Sequence, residues 1–182
     1  MIKTIVTIGL LAGSLGAFAQ EAPSRSYFEV GYGVLDSSSS PNLWHIDVNH
    51  AFNEHWTVGG EFFNLSNNGS DLNHFELNFG YVNDIGANTD FFTRIHVGQE
   101  DRDFSADSAI YGLALGTRSS LGKRFELHTE LKYNEIEKAS NGYFLAEIKG
   151  VYKFNEQSGL GLAIQSWDGD DAGFELSYRH SF

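Results

Sequence analysis

The chain has no cysteine and only two prolines among its 182 residues. No disulfide can staple it, although small exported domains often depend on them. Both prolines, Pro23 and Pro41, fall outside the periodic segments described below, as strands require, because proline cannot donate to a β-ladder. Basic residues are scarce, with 12 Lys and Arg against 24 Asp and Glu and a net charge of −12. This argues against a nucleic-acid partner, which needs a basic patch, and against docking on anionic lipid through a polybasic surface. Long hydrophobic runs are missing beyond the first twenty residues. No later stretch approaches the roughly 18 apolar residues that mark a spanning helix. A membrane protein built from strands remains open, because alternation keeps mean hydropathy low.

What is present begins with an export pattern. Met1-Ile2-Lys3-Thr4 is a short positive start, Ile5 to Phe18 is apolar apart from Thr7 and Ser14, and Ala17-Phe18-Ala19 is a small-x-small cleavage site. Residues 1–19 therefore read as a secretory signal peptide, cut after Ala19, with one β-barrel domain over residues 20–182. The apolar run is shorter than the roughly 20 residues a spanning helix needs. An exported chain without disulfides needs another source of stability. A closed barrel in a bilayer supplies one, since every backbone group pairs and no sheet edge is left.

The dominant signal is a period of two, repeated along the chain. Phe28, Val30, Tyr32 and Val34 alternate with Tyr27, Glu29, Gly31 and Gly33 in Ser26–Leu35. The same alternation runs through Leu43–Phe52, His55–Leu65, Asp71–Val82, Phe91–Gly98, Ser108–Arg118, Phe125–Glu135, Gly142–Phe154, Ser158–Trp167 and Gly173–Phe182. Phe125–Glu135 is the cleanest, with Phe125, Leu127, Leu131 and Tyr133 against Glu126, His128, Glu130 and Lys132; Phe91–Gly98 is the least clear. Segments of this length suit the roughly 9–11 residues of a tilted membrane strand. The fold class predicted is all-β, a single antiparallel up-and-down transmembrane β-barrel of about ten strands. The alternative is eight, with the hairpin around Phe91–Gly98 left as loop. Even-numbered connections such as Asn53-Glu54 and Asn155-Glu156-Gln157 are short, and odd-numbered ones are polar. That places the N-terminus in the periplasm and the odd loops outside. Asn83–Thr89, an even connection, is long for this scheme.

A soluble β-sandwich also alternates. Against it, the apolar face is dense in aromatics near the strand ends, with Trp44, Trp56, Tyr81, Tyr133, Tyr152 and Phe154 placed like the girdles of a membrane barrel. The opposite face is too polar for a sandwich interior. The last segment alternates through Phe174, Leu176 and Tyr178 to Phe182. It resembles the C-terminal strand of Gram-negative outer-membrane barrels, of the porin-like and opacity-protein-like kind. His180 departs from that pattern, standing where an apolar or aromatic residue is usual. The resemblance covers residues 20–182. It implies export through the periplasm to the outer membrane of a Gram-negative bacterium. The partners it implies are the barrel assembly machinery, reading Tyr178 and Phe182, and outer-membrane lipid with lipopolysaccharide.

The inward face is expected to hold Glu29, Asp47, Glu61, Glu76, Arg94, Arg118, Glu126, His128, Glu130, Lys132, Glu147, Lys149, Glu175 and Arg179, together with His45, His74, His96 and Lys153. Charges inside a narrow barrel are costly unless paired. The first reading is therefore an ion-paired, hydrogen-bonded lumen in a non-enzymatic barrel with a structural or surface-interaction role. The alternative is a small cation-preferring pore. About ten strands is just above the eight at which side chains fill the interior, and inward glycines such as Gly31, Gly59, Gly112 and Gly161 leave room for bulky partners or for water. An enzyme acting on lipid or peptide is a lesser alternative. His45 with Asp47, and His128 with Glu126 and Glu130, share a face, but any polar lumen gives such neighbours. No Gly-x-Ser-x-Gly occurs, and His180 and Ser181 point to opposite faces, so no catalytic residue is assigned. No cofactor or metal site is assigned either. The acidic groups Glu100, Asp101, Asp103 and Asp107, and Asp168, Asp170 and Asp171, read as solvated loop charges. They lack the rest of an EF-hand loop, which leaves at most a weak cation bridge to lipid phosphates.

Overall fold

The computed structural model describes residues 22–36, 40–67, 70–102, 107–137, 142–168 and 171–182. Residues 1–19 lie outside them, as do Asp103 and Asp170. Ten strands follow in chain order: β1 Tyr27–Asp36, β2 Asn42–Ala51, β3 Trp56–Asn67, β4 Ser70–Gly86, β5 Thr89–Arg102, β6 Ser108–Ser120, β7 Phe125–Ile136, β8 Tyr143–Lys153, β9 Ser158–Trp167 and β10 Asp171–Ser181. Each pairs antiparallel with its neighbours, and β1 pairs with β10 from Tyr27↔Ser181 to Asp36↔Ala172, which closes the barrel. Closure leaves no unpaired edge.

The eight-strand count is thereby excluded. Phe91–Gly98 belongs to a 14-residue strand, β5. Its alternation is masked because Phe91 and Phe92 are adjacent aromatics, and Phe92 is buried inside the barrel. The connection Asn83–Thr89 is corrected as well. β4 runs through Gly86 with a bulge between Asp84 and Gly86, so the turn to Thr89 is tight. A bulge of this kind absorbs an extra residue without ending the ladder. Glu100 and Asp101 continue β5 rather than forming a loop. In the β6–β7 turn Gly122 has φ 98°, a left-handed backbone that glycine adopts without a Cβ clash.

Outside, the barrel carries an apolar belt. Ile46, Val48, Phe62, Leu77, Ile95, Val97, Leu113, Leu162, Ile164 and Leu176 are all exposed on it. A soluble protein seldom shows so continuous an apolar surface, and lipid is the solvent that suits it. Aromatics flank the belt. Trp56 stacks on Phe79, with ring centroids 5.0 Å apart, at the end where β1 begins and β10 stops, here called the near end. At the far end Tyr32 meets Trp44 edge-on at 4.8 Å. His180 contacts Ser158 across this outer face, its Nδ1 3.3 Å from the hydroxyl.

Glycine on the inward face lets bulky partners in. A Cβ built on Gly31 would lie 2.4 Å from Glu175 Oε1, and one on Gly112 would lie 1.9 Å from the Tyr133 carbonyl and 2.5 Å from His96 Nε2. Gly112→Ala must therefore shift backbone in a closed sheet. It is expected to cost about 1–3 kcal/mol by overpacking. A urea titration of the refolded protein reads this as a lower midpoint, and an unchanged midpoint would show that β6 and β7 yield freely.

Candidate functional site

The polar side chains that share a face by alternation converge inside the barrel. Glu29, Glu76, Arg118, Glu126, Lys132, Lys149, Glu175 and Arg179 are buried there, with His128, Asp47 and Arg94 nearly so and Glu61, Glu130 and Glu147 partly covered. Strand pleating accounts for this, since residues i and i+2 on every strand face the same side. Pairings between strands are a separate matter.

Two ion-paired clusters fill the middle. In the first, Lys132 Nζ lies 2.9 Å from Glu61 Oε2 and 2.8 Å from Glu76 Oε2. Glu76 Oε2 in turn lies 3.1 Å from His74 Nε2, and His74 Nδ1 lies 3.8 Å from Glu100. In the second, Glu29 accepts from Lys149 Nζ at 2.7 Å and from Arg179 Nε at 2.5 Å. Lys149 also reaches Glu147 at 3.3 Å. His45 joins the two clusters, with Nδ1 3.3 Å from Glu175 and Nε2 3.8 Å from Glu61. Further pairs are Arg94 with Glu130, Lys153 with Glu126 at 2.7 Å, and Gln165 donating to Glu147 at 3.0 Å; buried Arg118 meets rings instead, and its Nε and Nη1 find no hydrogen-bond acceptor among the described residues.

Toward the near end, cations and rings alternate in a stack. Arg179 Cζ lies 4.2 Å from the Tyr27 centroid. Arg118 Cζ lies 5.3 Å from Tyr27 and 5.0 Å from Phe92, and Arg94 Cζ lies 5.0 Å from Phe92 on its own strand. A guanidinium over an aromatic face is attracted by the ring quadrupole, more strongly when desolvated. Tyr27 fixes its ring by donating to Asp47 Oδ2 at 2.7 Å. Below the stack, Arg25 Nε donates to Asp90 Oδ2 at 2.8 Å and the guanidinium also pairs with Asp84, tying the segment before β1 to the β4–β5 hairpin. The Asp90 hydrogen bond holds Arg25 above its ordinary range of titration. Toward the far end the inward face turns apolar, with Leu35, Leu43, Phe63, Ile110 and Ile136 buried and Trp167 edge-on to Phe63 at 5.5 Å.

A cavity of about 50 Å³, lined by Tyr27, His45, Arg94, Arg118 and Glu147 among others, sits between clusters and stack. That is room for a few water molecules.

The apolar far-end cap and Phe92 are not among the inward residues expected from the sequence, although parity alone marks them, each sharing a face with polar residues that are: Leu43 with His45, Phe63 with Glu61, Phe92 with Arg94. Glu100, expected as a solvated loop charge, is instead buried beside His74. The same-face pair His45 and Asp47 does not form, since Asp47 goes to Tyr27 and His45 to Glu175. Glu29, His45 and Glu175 could together offer three metal ligands, but Lys149 and Arg179 already stand on Glu29 as its cations. Ser158 Oγ lies 3.1 Å from Tyr178 Oη and 3.3 Å from His180; among the described residues no carboxylate pairs with that ring. Asp168 Oδ1 accepts from the Phe144 amide at 2.8 Å, a turn role rather than a cation ligand.

No protein-family pattern matches the chain, and no curated protein matches it. Solved structures share its fold. It is similar to the KdgM porin in complex with disordered oligogalacturonate, with a TM-score of 0.53 and 10% identity over 86% of this chain and 99% of that one. It is also similar to the NanC porin, with a TM-score of 0.54 and 7% identity over 85% of this chain and 100% of that one. The fold is that of the porin-like outer-membrane β-barrels.

Proposed function

We propose that the chain is a non-enzymatic outer-membrane barrel with a structural or surface-interaction role, its lumen filled by an ion-paired plug. One observation carries this reading: Glu29 and Glu175 are 0% and 1% exposed, deep inside a ten-stranded barrel. The wall groups of an open aqueous path would be wetted. Buried charges persist only where pairing and hydrogen bonds offset desolvation, and the two clusters meet that condition. Carboxylate–histidine pairs such as His74 with Glu76 are sealed from any substrate, which supports a role without catalysis.

The near end then faces the periplasm and the odd connections face outward. Residues 1–19 direct export. Tyr178 and Phe182 on the last strand serve recognition by the assembly machinery, and outer-membrane lipid, including lipopolysaccharide, surrounds the belt.

A second reading is a small cation-preferring pore. Two observations favour it: the fold is shared with porins, and acids outnumber bases among the inward-facing charges. Planar-bilayer recording of refolded protein separates the two. A silent membrane, with folding checked by heat-dependent gel mobility, is the expected result. Steady current steps whose cation preference falls in Glu130→Gln would replace the plug with the pore.

A further inference from the structure

At the far end the lipid-facing surface changes character in one sector. Two rows of outward residues are paired in register across β1–β4 near the far-end strand termini: Tyr32, Trp44, Asn64 and Asn73, and beyond them Val34, Asn42, Ser66 and Asp71. The row beneath, Val30, Ile46, Phe62 and Phe75, is wholly apolar. The aromatics and amides thus sit where the belt ends, the level of a membrane–water interface. Between them lies a groove of about 400 Å³ lined by Tyr32, Asn42, Trp44, Asn64 and Ser66. It is a shaped surface. Tyr32 Oη donates to Asn42 Oδ1 at 2.8 Å, Asn64 Nδ2 donates to Asn73 Oδ1 at 2.9 Å, and Trp44 is 53% exposed. On the corresponding rim of β6–β10 stand Tyr111, Tyr133, Glu135, Phe144 and Phe174, with no amide among them.

We propose that this groove seats the sugar ring of a glycolipid headgroup from the surrounding leaflet. A pyranose has a C–H face, which an exposed indole or phenol ring covers, and a rim of hydroxyls that both donate and accept. An amide side chain matches that rim, since it carries two donors and an acceptor. Neither row holds a lysine or arginine, so the groove lacks the fork or point charge that selects a phosphate or sulfate group. It opens sideways at the top of an apolar belt. Its occupant is therefore an amphiphile, with the sugar in the groove and its chains along Val30, Ile46 and Phe62. The inference rests on the proposed membrane placement and is independent of whether the lumen conducts.

The test is native mass spectrometry of the refolded full chain, released from bilayers containing a monoglucosyl diacylglycerol or, separately, phosphatidylglycerol with the same acyl chains. Retention of the glycolipid about tenfold above the phospholipid is expected, and Asn42→Ala/Asn64→Ala/Asn73→Ala should lose that preference, the loss corresponding to one or two hydrogen bonds. Trp44→Leu, which keeps the site apolar and tolerable to the fold, should weaken it too and serves if the triple variant does not refold. Equal retention of both lipids, full retention by both variants, or displacement by soluble glucose as readily as by glycolipid would each overturn the proposal. A conducting wild-type barrel that still prefers the glycolipid would sink the plug and leave this site standing.

Discussion

Glu29→Gln is expected to destabilise the barrel by about 3–5 kcal/mol, the cost typical of removing one partner from a buried ion pair. The substitution keeps the side-chain volume and removes only the charge. Glu29 is completely buried, and Lys149 and Arg179 both donate to it. Without its carboxylate the two cations face each other in a medium too dry to screen them. Lys149 has Glu147 at 3.3 Å and Glu175 at 3.8 Å as remaining partners. Arg179 keeps the Tyr27 ring and a distant Glu126 at 3.8 Å. The urea midpoint of the gel-mobility transition should fall sharply. Adding Arg179→Gln to Glu29→Gln should recover part of the loss, because the double variant leaves one cation with its own carboxylates. Additive losses in the double variant would mean that the two groups do not act as a pair.

The second large effect is a change of state. Tyr27→Ala with Phe92→Ala removes both rings from the stack that Arg179, Arg118 and Arg94 complete. The void created adjoins the existing cavity, which both residues line. A polar void of that kind fills with water. A wild-type barrel silent in planar bilayers should become one with steady current steps in this variant. The guanidiniums of Arg118 and Arg94, freed of their rings, would then line the water. Phe75→Ala with Phe79→Ala, which also removes two rings but from the lipid-facing belt, should stay silent. Silence in both would show that the ion-paired clusters alone close the lumen.

How much of this was legible beforehand varies by level. Facing was legible almost everywhere, because a side chain's side of the sheet depends only on parity along its own strand. Glu126, His128, Glu130 and Lys132 are inward for the same reason that Phe125, Leu127 and Leu131 are outward. Strand ends were less legible. The bulge at Asp84 and Gly86 and the length of β5 are set by the partner strands, which hold the ladder in register past residues whose local pattern is poor. Pairing inside the lumen was not legible at all. His45 and Asp47 are two residues apart and take different partners. Glu29 and Arg179 are 150 residues apart and touch.

The sequence by itself determined a membrane barrel with a polar interior: an alternation of period two, aromatics near strand ends, no cysteine and no spanning helix require little else. The tertiary structure alone decided which of the inward charges meet. Whether charges across a lumen meet depends on how far each strand is staggered against the next and on where β1 closes against β10. That stagger sets which residues share a level, and it accumulates around the whole circumference. No local window of sequence contains it.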